Sequence, residues 1–146
     1  MKSLLNFLTE SLNNFSNFIK SKIQKNNSFF VENENYSDAK SVVDDLGYTA
    51  VDVYLDNMEA EDLEGILNNG KIIFPDWAKE IIDNKNKKFV VFFVDEEGKS
   101  DDKLMNTLIP IIFQREICGK KFDNFIPALV APSLSNLPKQ IQAKLK

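Results

Sequence analysis

Phe89-Val-Val-Phe-Phe-Val94 is a run of six apolar, strand-favouring residues between Lys87-Lys88 and Asp95-Glu96-Glu97-Gly98. A half-exposed strand would alternate apolar and polar side chains. An unbroken run this short belongs to a strand buried on both faces, which is what a parallel sheet between helical layers requires. The run therefore predicts an α/β (or α+β) fold: a small mixed, partly parallel sheet covered by helices.

The flanking sequence agrees with that reading. Upstream, Ser37 is placed to cap a short helix through Asp45, ended near Gly47. Thr49–Leu55 sets Val51, Val53 and Leu55 against Asp52 and Tyr54, a half-buried strand. Met58–Leu67 reads as a helix closed by Asn68-Asn69-Gly70, and Lys71–Phe74 as a short strand. Pro75 then suits the first turn of a helix carrying Trp77, Ile81 and Ile82. Downstream, Ser100 is the expected cap of a helix with Asp101 and Asp102 in its first turn. Leu104, Met105, Leu108, Ile109, Ile112 and Phe113 form its apolar stripe, which Pro110 is expected to kink or end. Residues 122–138 hold Pro127, Pro132 and Pro138 and read as extended, with Ile126–Ala131 as an edge strand and Pro138 opening a last helix.

Ahead of this pattern, Leu4, Leu8, Leu12, Phe15, Ile19 and Ile23 recur at helical spacing, a stripe widened by Leu5, Phe7 and Phe18. The opposite face is Asn, Ser and Lys. Asn is a poor helix former, so this helix depends on whatever its stripe buries against, and the six striped residues are a candidate interface. The resulting organisation is an amphipathic helix over residues 1–25, a polar linker over 26–36, and one globular α/β domain over 37–146.

Composition removes several chemistries. There is no His, one Cys (Cys118) and one Arg (Arg115) in 146 residues. Without His the usual general base, the Ser-His and Cys-His nucleophile pairs and the commonest metal ligand are gone. A lone Cys cannot form an intrachain disulfide or a Cys-based zinc site, and Cys118 reads as a buried structural thiol. A single Arg argues against specific reading of nucleic-acid bases. No stretch approaches the ~20 apolar residues of a membrane span. Asn6, Glu10 and Asn13-Asn14 interrupt the N-terminal apolar run too early for a signal peptide, so the expected location is the cytoplasm or a particle assembled inside a cell. No cofactor, metal or catalytic residue is assigned.

Charge is uneven. Residues 1–30 carry four Lys and one Glu, whereas residues 31–70 carry eleven acids and only Lys40. Two motifs have plainer structural explanations. Gly65-Ile-Leu-Asn-Asn-Gly70-Lys71-Ile72 has the spacing of a phosphate-binding loop, but Ile72 replaces the Ser or Thr that would ligate magnesium, and the segment follows a predicted helix. The acids Asp95, Glu96, Glu97, Asp101 and Asp102 lack the alternate spacing of a calcium loop; a turn at Gly98 and a helix start explain them.

Met1-Lys2-Ser-Leu-Leu-Asn-Phe-Leu8-Thr9-Glu10, followed by Ser11, resembles the capsid-targeting peptides of T-even-like tailed bacteriophages. Those peptides begin Met-Lys, run through about ten amphipathic residues and end in Leu/Ile-x-Glu before a small residue. The resemblance covers residues 1–11 and implies packaging into the prohead, followed by cleavage after Glu10, with Leu8, Glu10 and Ser11 as the processing site. The leading expectation is a non-enzymatic head or internal virion protein, directed or docked by its N-terminal helix onto protein partners such as phage structural proteins. Two alternatives stand beside it: a cytoplasmic binding or inhibitor module using the acidic 31–70 surface against a basic partner, and an enzyme working with carboxylates alone.

Overall fold

The computed structural model describes residues 3–145. Four strands form one sheet: β1 (Phe29–Glu32), β2 (Thr49–Tyr54), β5 (Phe89–Val94) and β8 (Phe125–Ala131). They lie in the order β1-β8-β5-β2, and every pairing is parallel. The antiparallel pairs lie off this sheet, in two hairpins: β3 (Ile66–Asn68) with β4 (Lys71–Ile73), and β6 (Glu116–Ile117) with β7 (Lys120–Lys121).

The run that predicted the fold is the hub. All six residues of β5 are buried, and their alternation splits the core in two. Val90, Phe92 and Val94 pack under helices α1 (Leu4–Gln24) and α2 (Tyr36–Asp45), through Ile19, Ile23, Ala39, Val42 and Val43. Phe89, Val91 and Phe93 face the opposite layer, α3 (Ala60–Glu64), α4 (Lys79–Asp83), α5 (Asp102–Gln114) and α6 (Lys139–Leu145). Trp77 meets Phe93 edge-on at 5.2 Å, and its indole N–H donates to the Leu63 carbonyl, so the ring is a core anchor with its polar atom satisfied.

Several local expectations are corrected. Residues 26–36 are no linker, because Phe29 and Val31 are buried in β1. The short apolar triplet is enough for an edge strand, since β8 supplies one ladder and α1 and α2 cover the inner face. Met58–Leu67 is not one helix. Helix α3 stops at Glu64, Gly65 turns with φ +79°, and the chain enters the β3–β4 hairpin through Asn69 (φ 52°) and Gly70 (φ 77°). Two consecutive left-handed residues of the Asn-Gly type suit a two-residue hairpin turn. Gly70 therefore serves that turn and not a helix end. Asp101, not Ser100, caps α5 by accepting from the Leu104 amide.

Pro110 does not end α5, which runs on to Gln114. An interior proline costs about 3 kcal/mol in an isolated helix. Here Leu104, Met105, Leu108, Ile111 and Ile112 bury a full face, and that burial outweighs the lost hydrogen bond.

Ile126–Ala131 is a central strand rather than an edge. Phe89 N–H donates to Asn124 and Asp95 N–H to Val130, so the even-numbered residues of β8 face β5. Pro127 therefore faces the β1 side, where pairing begins one residue later at Phe29↔Ala128. Its missing N–H falls outside the ladder. The Phe125 carbonyl, also ahead of that ladder, accepts from Arg115 Nη1 at 2.7 Å, and Arg115 Nη2 donates to the Asn26 carbonyl at 2.6 Å. The chain's one arginine thus joins the end of α1 to the start of β8, and burial lowers its pKa.

Candidate functional site

Two uncovered apolar surfaces stand out. The first is the outer half of α1. At 1.5 Å per residue the 21-residue helix is about 30 Å long. Ile19 and Ile23 are buried against α2 and the sheet, and Phe15 packs at the margin. Beyond them Leu4 (73% exposed), Leu5, Phe7, Leu8, Leu12 and Phe18 are exposed. The predicted interface is therefore divided: Ile19 and Ile23 hold the helix to the domain, and Leu4, Leu8 and Leu12 project from it. Ser3 caps the helix by accepting from the Asn6 amide, so the projecting end is a terminated helix.

Leu8, Glu10 and Ser11 are exposed on this projecting half, in helical conformation. A protease binds its substrate extended, so cutting there requires local unwinding. The outer turns carry no buried residue, and unwinding them disrupts none of the core. Met1 and Lys2, which open the resemblance to targeting peptides, lie outside the described residues.

The second surface is a cleft of about 540 Å³ on the opposite side of the sheet. Its walls are the β3–β4 hairpin (Ile66, Leu67, Ile72) and Thr107, Pro110 and Ile111 of α5, with Glu64, Glu116 and Cys118 at the rim. Leu67 is 73% exposed at the hairpin crest, beside Ile66 and Ile73. The Cys118 thiol donates to the Glu64 carbonyl, and burial together with the nearby Glu64 carboxylate raises its pKa. It is half-buried rather than buried, and a thiol held protonated in this way is a poor nucleophile.

The segment 65–72 with phosphate-loop spacing forms that hairpin. A phosphate loop must leave a strand and open a helix, whereas this one leaves a helix and turns between two strands. The acidic run 95–102 separates likewise: Asp95 is buried at the end of β5, Gly98 turns, and Asp101 caps α5. Asp95 Oδ1 and Asn33 Oδ1 have no hydrogen-bond partner among the described residues, and Asn33 Nδ2 donates to the Glu96 carbonyl. Both residues lie just past the ends of parallel strands, Asn33 after β1 and Asp95 after β5. Among the described residues, no group of three or more His, Cys, Asp or Glu is arranged to hold a metal ion, and no helix is long and apolar enough to cross a membrane.

The eleven acids of residues 31–70 are all exposed. Asp52 alone among them forms an ion pair within the described residues, 2.7 Å from Lys40, and it also accepts from the Tyr36 hydroxyl. Sequence reasoning found the helix stripe but missed the cleft. Asn69-Gly70 was the available hairpin signal, hidden because Ile66 and Leu67 continue the preceding helical spacing. No known protein family and no curated protein matches the sequence.

Proposed function

We propose that the protein is a non-enzymatic component of a bacteriophage particle, docked by the outer half of α1 and processed after Glu10. The observation that carries the reading is the helix itself: an apolar stripe at Leu4, Leu8 and Leu12 leaves the domain uncovered. A helix of this composition gains its stability from a partner surface. Residues 3–11 of the targeting-type sequence lie in that projecting segment, and the Glu10–Ser11 bond lies in turns that can open without disturbing the core.

Intact-mass analysis of the chain recovered from purified particles tests the reading. The expected species lacks residues 1–10. Absence of the chain from the particles would overturn the proposal, and recovery of the full-length chain would overturn the processing step.

A further inference from the structure

All four strands are parallel, so the segments that enter them meet at one end of the sheet: residues 25–28, 46–48, 84–88 and 115–124. Cations scattered along the sequence converge there. Lys85, Arg115 and Lys121 line a hollow of about 450 Å³, and an adjoining one of about 240 Å³ carries Lys88. Asn26, Asp123 and Asn124 line both hollows, and among the described residues Asp123 is the one acid on their walls. We infer that this end of the sheet binds the phosphate backbone of a single-stranded nucleic acid, independently of base sequence.

The fold itself fixes the hollow. Asn124, buried just ahead of β8, donates to the Ile81 carbonyl at 2.9 Å and to the Asn84 carbonyl at 3.2 Å, which ties the segment bearing Lys85 to the sheet. The Phe122 N–H donates to the Arg115 carbonyl and holds the segment bearing Lys121 in the same way. Arg115 directs three of its five N–H groups to Asn26 and Phe125, and two have no partner among the described residues.

These cations lack counter-charges. Among the described residues none of Lys85, Lys88, Arg115 and Lys121 forms an ion pair, whereas Lys40, Lys79 and Lys99 each do. Helix ends account for some of the clustering: Lys25 follows α1, Lys85 follows α4 and Arg115 caps α5, where a cation offsets the negative end of the helix dipole. Lys87, Lys88 and Lys121 exceed that need. Four cations against Asp123 leave the two hollows with an excess of positive charge, in a chain whose net charge is −4. A partly buried guanidinium without a carboxylate beside it gains from an incoming anion.

The occupant follows from shape and chemistry. Two adjoining hollows with separate cations suit successive phosphates on a flexible strand, whereas a stiff duplex would bridge a concavity of this size. Arg115 is engaged with backbone carbonyls, so it is not free to read base edges, and no sequence preference is expected. The inference is independent of the reading of α1.

Fluorescence anisotropy with the full chain tests it, using labelled oligothymidine and a mixed-sequence strand of equal length. At about 50 mM salt both should bind with a dissociation constant on the order of 10 µM, and log affinity should fall against log salt with a slope of about −2 to −3, the value for three or four phosphates. Lys85→Gln combined with Lys121→Gln, both at exposed positions, should weaken binding at least about tenfold and make the slope shallower by about 1.4. Lys79→Gln combined with Lys99→Gln removes the same charge elsewhere and should change affinity less than about threefold. Absence of binding at about 20 mM salt would overturn the inference, as would equal effects of the two double variants. Equal binding of polyglutamate would replace the nucleic acid with an acidic protein segment, and full displacement of the strand by inorganic phosphate at the same concentration of phosphate groups would show that single phosphates suffice; either result refutes the strand as occupant.

Discussion

Gly65 and Cys118 are packed so closely that no β-carbon fits between them. One added at Gly65 would overlap Cys118 Sγ and lie 2.5 Å from the Ile73 carbonyl oxygen. The backbone there also has φ +79°, a conformation that favours glycine. Gly65→Ala should therefore destabilise the protein by about 2–4 kcal/mol, read from the urea midpoint. Adding Cys118→Ala should recover less than half of that loss, because the Ile73 carbonyl belongs to the backbone and cannot step aside. Full recovery in the double variant would show that the sulfur alone set the packing.

Arg115 holds the Asn26 and Phe125 carbonyls with two separate guanidinium nitrogens. Arg115→Met leaves both acceptors short of a donor and should cost about 2–4 kcal/mol in chemical denaturation. Arg115→Lys should restore less than half, since one ammonium cannot reproduce the planar fork. Equal stability of the lysine variant and the wild type would refute this account.

The Tyr36 hydroxyl donates to Asp52, and burial followed by that hydrogen bond raises its pKa well above the ordinary 10. Lys40, bonded to the same carboxylate, is also raised. For a group whose folded pKa is raised, the stabilisation is complete below the unfolded value and is lost as pH climbs past it. Folding stability should thus fall above about pH 10. Tyr36→Phe should flatten that decline while lowering stability at pH 8 by about 1 kcal/mol. Urea titrations at pH 8 and pH 11 make the comparison; parallel losses in both proteins would exclude Tyr36 as the source.

Helix α1 should divide energetically where it divides structurally. Truncating residues 1–12 should change the stability of the domain by less than about 0.5 kcal/mol, because none of the removed side chains described is buried. Ile19→Ala should cost about 2–5 kcal/mol, because Ile19 is 0% exposed among Val42, Val43 and the sheet. A glutamate-specific protease should cut after Glu10 and leave a folded product with an unchanged thermal transition.

The parts of the fold that were legible in sequence are those in which burial leaves a period. Phe89–Val94 declared a two-sided strand, the alternation at Thr49–Leu55 marked a one-sided one, and the spacing from Leu104 to Phe113 marked a helix. β1 left no such trace: Phe29, Phe30 and Val31 sit among Asn, Ser and Glu, and their strand state is set by β8, almost a hundred residues away. The position of Ile126–Ala131 in the sheet was likewise invisible, because Pro127 is tolerated only through a pairing register no local pattern encodes. As for the site, the α1 stripe was legible as a whole, but the point at which it leaves the domain was not. Nothing in the spacing distinguishes Leu12 from Ile19; α2 does that.

The strand order also has a consequence for the way this chain is made. β1 pairs within the sheet only with β8, the last of its four strands in chain order, so the sheet cannot close at that edge until β8 has emerged. Until then Phe29 and Val31 lack half of their cover, and the helix before them is tethered to an unfinished edge. Helix α1 is thus made before the rest of the sheet and is among the last parts of the domain to be fixed in place, which leaves it open to capture by other factors while the domain is being synthesised.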